Sequence, residues 1–437
     1  MSPFSTWMLS QEARALLSRL ARVKPFALIE SMVPAASLVP AAQVAIERHL
    51  AAGRRDLERA VNGFVVWLHG PGRAASEAHA QRRFTMLRLR FNAALTQFDL
   101  FSDAITQRSE SQTGVWLSGL DHVAHDALVL PGRYYAVPPV VCYLDRGAGA
   151  AIRRARTRLP GGGDNPVAVI RMPRERMVGS GIASSLVHEV GHQAASLLDL
   201  VLSLRPVLQA MQAVEGPDRI AWQLWERWIS EIVADFWAVA RVGVASTLGL
   251  IAVVSLPRAF VFRVDGEDPH PSPWIRVILS CAMGRALFPH PQWDRIADLW
   301  QRFYPLAGLD AQRTAIFDRL QATMGALVGL IAQHRPRALR GATLAEALTV
   351  RDRQPARLAE LFRQWELEPV AMYRTAPSLV FAVIGQARMD QRISPEDESQ
   401  LLGQLLTHWA LAGSLQATAH CAIAREPAFR PLSPSRR

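Results

Sequence analysis

With 437 residues the chain is too long for one ordinary core, so two or three lobes are expected. Hydrophobic residues make up 50% and charged residues 20%, a composition that excludes an intrinsically disordered protein. The net charge of +11 comes almost wholly from arginine, since Lys24 is the only lysine, and the basic clusters are dispersed without interleaved aromatics. No nucleic-acid partner is therefore expected, and the charge reads as a solvated basic surface with some attraction for acidic ligands.

Helical periodicity dominates the N-terminal third. Residues 7–23 carry Leu9, Ala13, Leu16, Leu20 and Val23 on one stripe, and similar patterns follow at 40–68 and 76–107. Near Gly114 the pattern changes. Tyr134–Leu144 and Pro166–Met172 are β-rich runs separated by a Pro- and Gly-containing loop at 160–163. A helix is expected over 180–204, stopped by Pro206 and by the Glu215-Gly216-Pro217 stretch, and a second over 218–241.

The most apolar run, Val242–Leu256, is shorter than the roughly 20 residues of a spanning helix and is expected to be a buried helix. No transmembrane segment is expected. Beyond Pro257 further helices are predicted at 273–287, 291–303, 311–334, 352–365, 374–388 and 395–412, with a disordered tail at 426–437. The fold class is mainly α with a small β-sheet (α+β). Its parts are a helical region at 1–113, a core at 114–305, a helical region at 306–425 and the tail.

Cys142, Cys281 and Cys421 are few, odd in number and far apart, which argues against a disulfide framework and for a reducing compartment. Residues 1–20 lack the features of a signal peptide, so a cytoplasmic location is expected.

The chemistry concentrates at His188-Glu189-Val190-Gly191-His192. On a helix, His188 and His192 stand one turn apart on one face, where two imidazoles can hold one Zn²⁺. Glu189 can then take a proton from an attacking water. A tetrahedral zinc still needs a protein ligand. The second predicted helix offers Glu231 and Asp235, the only charged residues between Arg227 and Arg241, set among apolar and aromatic neighbours. Buried carboxylates need a cation or strong donors, and zinc with the distal N–H of a ligand histidine supplies both.

These residues carry a resemblance. H-E-x-x-H followed by Glu231-Ile232-Val233-Ala234-Asp235 and by His270-Pro271-Ser272-Pro273-Trp274-Ile275-Arg276-Val277 is similar to the gluzincin metallopeptidases, within them to the CAAX-prenyl-protease and HtpX-like group. The similarity covers about residues 180–280 and implies a zincin-like core between flanking helical regions. By position it implies His188, His192 and Glu231 as zinc ligands, Glu189 as general base and Asp235 as the carboxylate orienting a ligand histidine. It further implies His270 as a group lining or gating the open coordination position, and Arg276 as an oxyanion or substrate donor. The strand Val167–Met172 would be the edge that binds substrate in extended form. The implied activity is a zinc-dependent endopeptidase acting on a protein or peptide; the alternative is a zinc-bound, non-proteolytic scaffold on the same fold.

Plainer readings stand beside these. Glu231 can pair with Arg227 one turn earlier, Asp235 can cap or pair locally, His270 can be a turn residue and Arg276 a surface ion pair. Asp121-His122 and His125-Asp126 have ligand-like spacing without a third partner and are expected to be exposed polar residues. Gly191 is expected to let the second helix or a substrate approach the metal.

Overall fold

The computed structural model describes residues 1–23, 26–147, 149–159, 162–174, 179–214, 216–265 and 267–425. The expected disordered tail lies outside them. The chain is mainly helical with one small sheet. Its N-terminal part contains α1 (Pro3–Arg22), α2 (Pro40–His69), α3 (Glu77–Thr106) and α4 (Ser111–Leu128). Strands β1 (Val140–Asp145), β2 (Ala151–Arg153) and β3 (Ala168–Pro173) follow. Next come α5 (Ser180–Leu197), α6 (Leu200–Ala213), α7 (Arg219–Val242), α8 (Val244–Val254), α9 (Arg258–Val261) and α10 (Pro273–Leu287). The C-terminal part holds α11 (Gln292–Phe303), α12 (Ala311–Gln333), α13 (Leu344–Ala347), α14 (Pro355–Leu367), α15 (Pro369–Tyr373), α16 (Pro377–Met389) and α17 (Pro395–Arg425).

The α1 stripe buries Leu9, Ala13, Leu16 and Leu20 against Val61 and Phe64 of α2 and Phe84 and Phe91 of α3. A separate cluster joins Phe98 and Phe101 of α3 to Val141 and Val169, which point from one face of the sheet. The alternate residues Cys142, Leu144, Ile170 and Met172 enter the main core on the other face. Two covered faces explain why β1 and β3 read as continuous apolar runs rather than as an alternation. The main core extends from Leu117 to Trp409, so the motif helices and the C-terminal helices share one interior.

Several expectations need correction. Only Val140 onward of the Tyr134–Leu144 run is strand. Pro138 and Pro139 lack the N–H groups that pairing requires. The helix expected over 180–204 ends at Leu197, and α6 leaves it at a bend of 81°. Asp199, at φ 52°, makes the corner in the left-handed region that aspartate tolerates better than most residues. Pro206 does not stop the chain; it lies inside α6 on an exposed position, where the carbonyl of Leu202, also exposed, can turn to water.

Asp121 and Asp126 lie on α4 and are not free surface groups. Asp121 accepts two hydrogen bonds from the buried Arg108, at 2.9 and 3.2 Å, and Asp126 accepts from the Ser378 N–H at 2.8 Å. Two more buried arginines tie helix ends together: Arg241 donates to the Asp126 carbonyl and Arg353 to the Arg241 carbonyl, each at 2.6 Å.

The Val242–Leu256 run forms the expected buried helix, α8, with Val244, Ala245, Thr247 and Leu250 in the interior. Among the described residues one helix, α12, is long and apolar enough to cross a membrane by length and composition. The bent pair α5 and α6 passes the same test only when taken together. The apolar face of α12, including Phe317, Leu320, Leu327 and Ile331, is buried in the main core.

The sheet order is β1-β3-β2, with β1 parallel and β2 antiparallel to β3. The strand expected at the edge is thus the central one. The outer edge of β1 is closed by side chains. Gln107 exchanges two hydrogen bonds with the Leu144 backbone at 2.8 Å, Asp121 accepts from the Cys142 N–H at 2.7 Å, and Arg108 donates to the Cys142 carbonyl at 2.5 Å. Among the described residues β2 is the more open edge, with Asn165 Nδ2 donating to the Arg153 carbonyl at 3.0 Å. Gln193, next to His192 on α5, fixes the end of β2 by accepting the Ala155 N–H at 2.7 Å.

Candidate metal centre

Helices α5 and α7 cross where Gly191 meets Ala234. A Cβ on Gly191 would stand 2.8 Å from both the Cα and the carbonyl oxygen of Ala234, which are backbone atoms that cannot swing aside. The missing side chain therefore brings the two helices close enough for their polar residues to converge, at a cost of roughly 1 kcal/mol in helix propensity. From Glu231 to Val242 every residue of α7 is buried, and Glu231 and Asp235 are the carboxylates among them.

His188, His192 and Glu231 form a group whose donor atoms all lie within 4.8 Å of one another. The two rings are 4.8 Å apart at 85°. His188 Nε2 is 3.2 Å from Glu231 Oε2, and His192 Nε2 is 3.4 Å from Glu231 Oε1. Glu231 Oε2 is buried and has no partner in hydrogen-bond geometry, even though the His188 ring is beside it. An orphaned buried carboxylate oxygen next to two imidazoles is the arrangement a cation would complete. It also excludes the plainer pairing of Glu231 with Arg227, because Arg227 is exposed.

Asp235 lies one turn beyond Glu231 and meets His188. Its Oδ1 is 2.8 Å from His188 Nδ1, so Nδ1 carries a proton toward Asp235 and Nε2 is the nitrogen turned toward Glu231. Arg276 holds Asp235 in turn, Nε to Oδ2 at 2.6 Å and Nη2 to Oδ1 at 2.8 Å. The expectation that Arg276 donates to an oxyanion or substrate meets a different geometry, since this fork is committed to a buried carboxylate. Arg276 therefore meets the centre through Asp235.

Electrostatics follow the geometry. Burial would lower the His188 pKa, but the carboxylates of Asp235 and Glu231 outweigh it and push it up to about 9. Burial raises Glu231 and Asp235 less than their cationic neighbours lower them, so both lie well below the usual carboxylate range. Glu189 goes the other way: burial raises its pKa, with the histidines only partly opposing. A carboxyl raised above its ordinary value and in electrostatic reach of both histidines suits a group that must accept and return a proton.

The third motif also meets the centre. Ser272 caps α10 and Pro273 occupies its first turn, where a proline has no intrahelical N–H to lose. This start places Arg276 against α7 and leaves His270 just outside the helix. His270 is half exposed, and its Nε2 is 3.4 Å from Glu231 Oε2. Its Nδ1 and its backbone N–H both meet Asp268 Oδ1, at 2.8 and 2.9 Å. The sequence reading missed Asp268 and Gln193. An acid two residues before a motif histidine was the available signal for the first; nothing local marked the second.

No family model, curated protein or solved structure matches this chain.

Proposed function

We propose that the chain is a zinc-dependent endopeptidase with a zincin-like core. The observation that carries the reading is the buried Glu231 carboxylate set against His188 and His192, with Oε2 left without a partner in hydrogen-bond geometry. A His₂Glu donor set with one open position is the ligand set of catalytic rather than structural zinc sites. When bound, zinc would acidify a water and polarise the scissile carbonyl.

The chain's own residues do the rest. Asp235 and Arg276 fix the His188 tautomer, and Glu189 takes the proton of the attacking water and delivers it to the leaving amine. The open β2 edge, anchored to α5 beside His192, gives an extended peptide main-chain partners. His270 stands on the exposed side of the ligand group, held by Asp268, where it can occupy the open position or donate to the oxyanion.

Protein purified without chelator is expected to carry one zinc per chain, lost on Glu231→Ala. Elemental analysis finding no metal, together with no stabilisation by added Zn²⁺, would overturn the reading. His270 is assigned as a displaceable lid, because Pro271 and Pro273 stiffen its loop and Asp268 holds the ring over Glu231. His270→Ala is therefore expected to raise basal peptide turnover. A fall in kcat with zinc retained would make His270 a catalytic donor instead.

A further inference from the structure

We propose that the open β2 edge selects acidic extended peptides, with Arg154 as the residue that takes a substrate carboxylate. The inference rests on the peptidase reading for the site's purpose, while its charge preference comes from separate observations. Between Asp145 and Asp164 the chain has five arginines, Arg146, Arg153, Arg154, Arg156 and Arg158, and no acidic residue. They lie on and beside β2, the sheet edge opposite the one that Gln107, Arg108 and Asp121 close.

Arg154 differs from Arg153 and Arg156. Arg153 donates to Gln97 of α3 at 2.6 Å, and Arg156 to the Ala136 carbonyl at 3.1 Å. Arg158 is joined to Asp164 only through the backbone, in an isolated bridge. The Arg154 side chain is exposed and, among the described residues, has no hydrogen-bonding or ionic partner. Its backbone, in contrast, is fixed. The Arg154 carbonyl accepts from Thr157 Oγ1 at 2.6 Å and from Asn165 Nδ2 at 3.1 Å, and the next N–H is the one held by Gln193 beside His192.

A free guanidinium on a pinned backbone next to a metal-ligand helix is preorganised for a bidentate carboxylate contact. In the loop before α10, Asp265 is bound to Arg263 and Asp268 to His270, while Glu267 is exposed.

The test uses zinc-loaded Glu189→Gln protein, so that bound peptides are not consumed. Fluorescent, unstructured peptides are prepared in two forms, with every acidic position either Glu or Gln, and their binding is measured by polarisation at low and high salt. The Glu forms are expected to bind about 10-fold tighter at low salt, with the advantage shrinking as salt rises. Arg154→Glu should reverse the preference toward the Gln forms, a reversal that a structural role for Arg154 would not produce.

Equal binding of the two forms, a preference that survives Arg154→Glu, or no peptide binding would overturn the proposal. Binding with the expected preference but no cleavage by the unsubstituted chain would leave this surface standing and remove the peptidase reading. Cleavage without charge preference would do the opposite.

Discussion

Glu189→Gln is expected to lower peptide hydrolysis by roughly 10²- to 10⁴-fold, the usual worth of a positioned general base, while zinc content stays that of the unsubstituted chain. Glu189 is 7% exposed and lies one residue from His188, yet it is not in the donor group of His188, His192 and Glu231. Its loss should therefore touch proton transfer and not metal retention. Glutamine keeps the shape and can still orient a water, but it cannot accept the proton. Turnover of a peptide library with paired elemental analysis decides the matter. Unchanged turnover means that another group is the base; lost metal means that Glu189 belongs to the ligand set.

The second large effect is expected at Asp235. Asp235→Ala should weaken zinc binding by roughly 10- to 100-fold, since His188 loses the acceptor that fixes its tautomer. It should also destabilise the fold by about 3–5 kcal/mol, because Arg276 would be left as an uncompensated buried charge. The two consequences separate in a double variant. Asp235→Leu with Arg276→Met replaces the pair by apolar groups and should recover much of the stability, but not the metal affinity. Denaturant unfolding and a zinc competition titration measure the two quantities independently. If the single variant leaves both unchanged, the Arg276–Asp235–His188 chain of contacts is not what holds the ligand.

The part of the centre legible in the sequence is the part set by helical spacing. His188 with His192, and Glu231 with Asp235, are i and i+4 pairs, so each pair's common face follows from the helix alone. Gly191 fits the same logic, as its lack of a side chain announces a close approach without saying to what. Partners fixed by tertiary packing were not legible. Arg276 could be placed near the centre only through a motif, and its choice of Asp235 over a substrate depends on how α10 crosses α7.

The corner at Asp199 escaped notice because no glycine or proline marks it, and Pro206 misled because its position is exposed. The strand Val167–Met172 was visible as a strand. Its central place depends on the three-residue β2, too short to register as a hydrophobic pattern. Asp121 and Asp126 read as surface groups because Arg108 and Ser378, which satisfy them, lie 13 and 252 residues away.

The order in which these pieces occur along the chain bears on how the protein is made. Gln107, Arg108 and Asp121, which occupy the outer edge of β1, all precede it, whereas its inner partner β3 follows. A chain synthesised from its N-terminus at roughly 5–20 residues per second thus has the side chains that cover this edge before the strand itself emerges from the ribosome. The nascent strand is then not left with two open flanks, the condition under which half-made sheets recruit strands from neighbouring chains. Only the inner flank waits, and only for the short interval until β3 arrives.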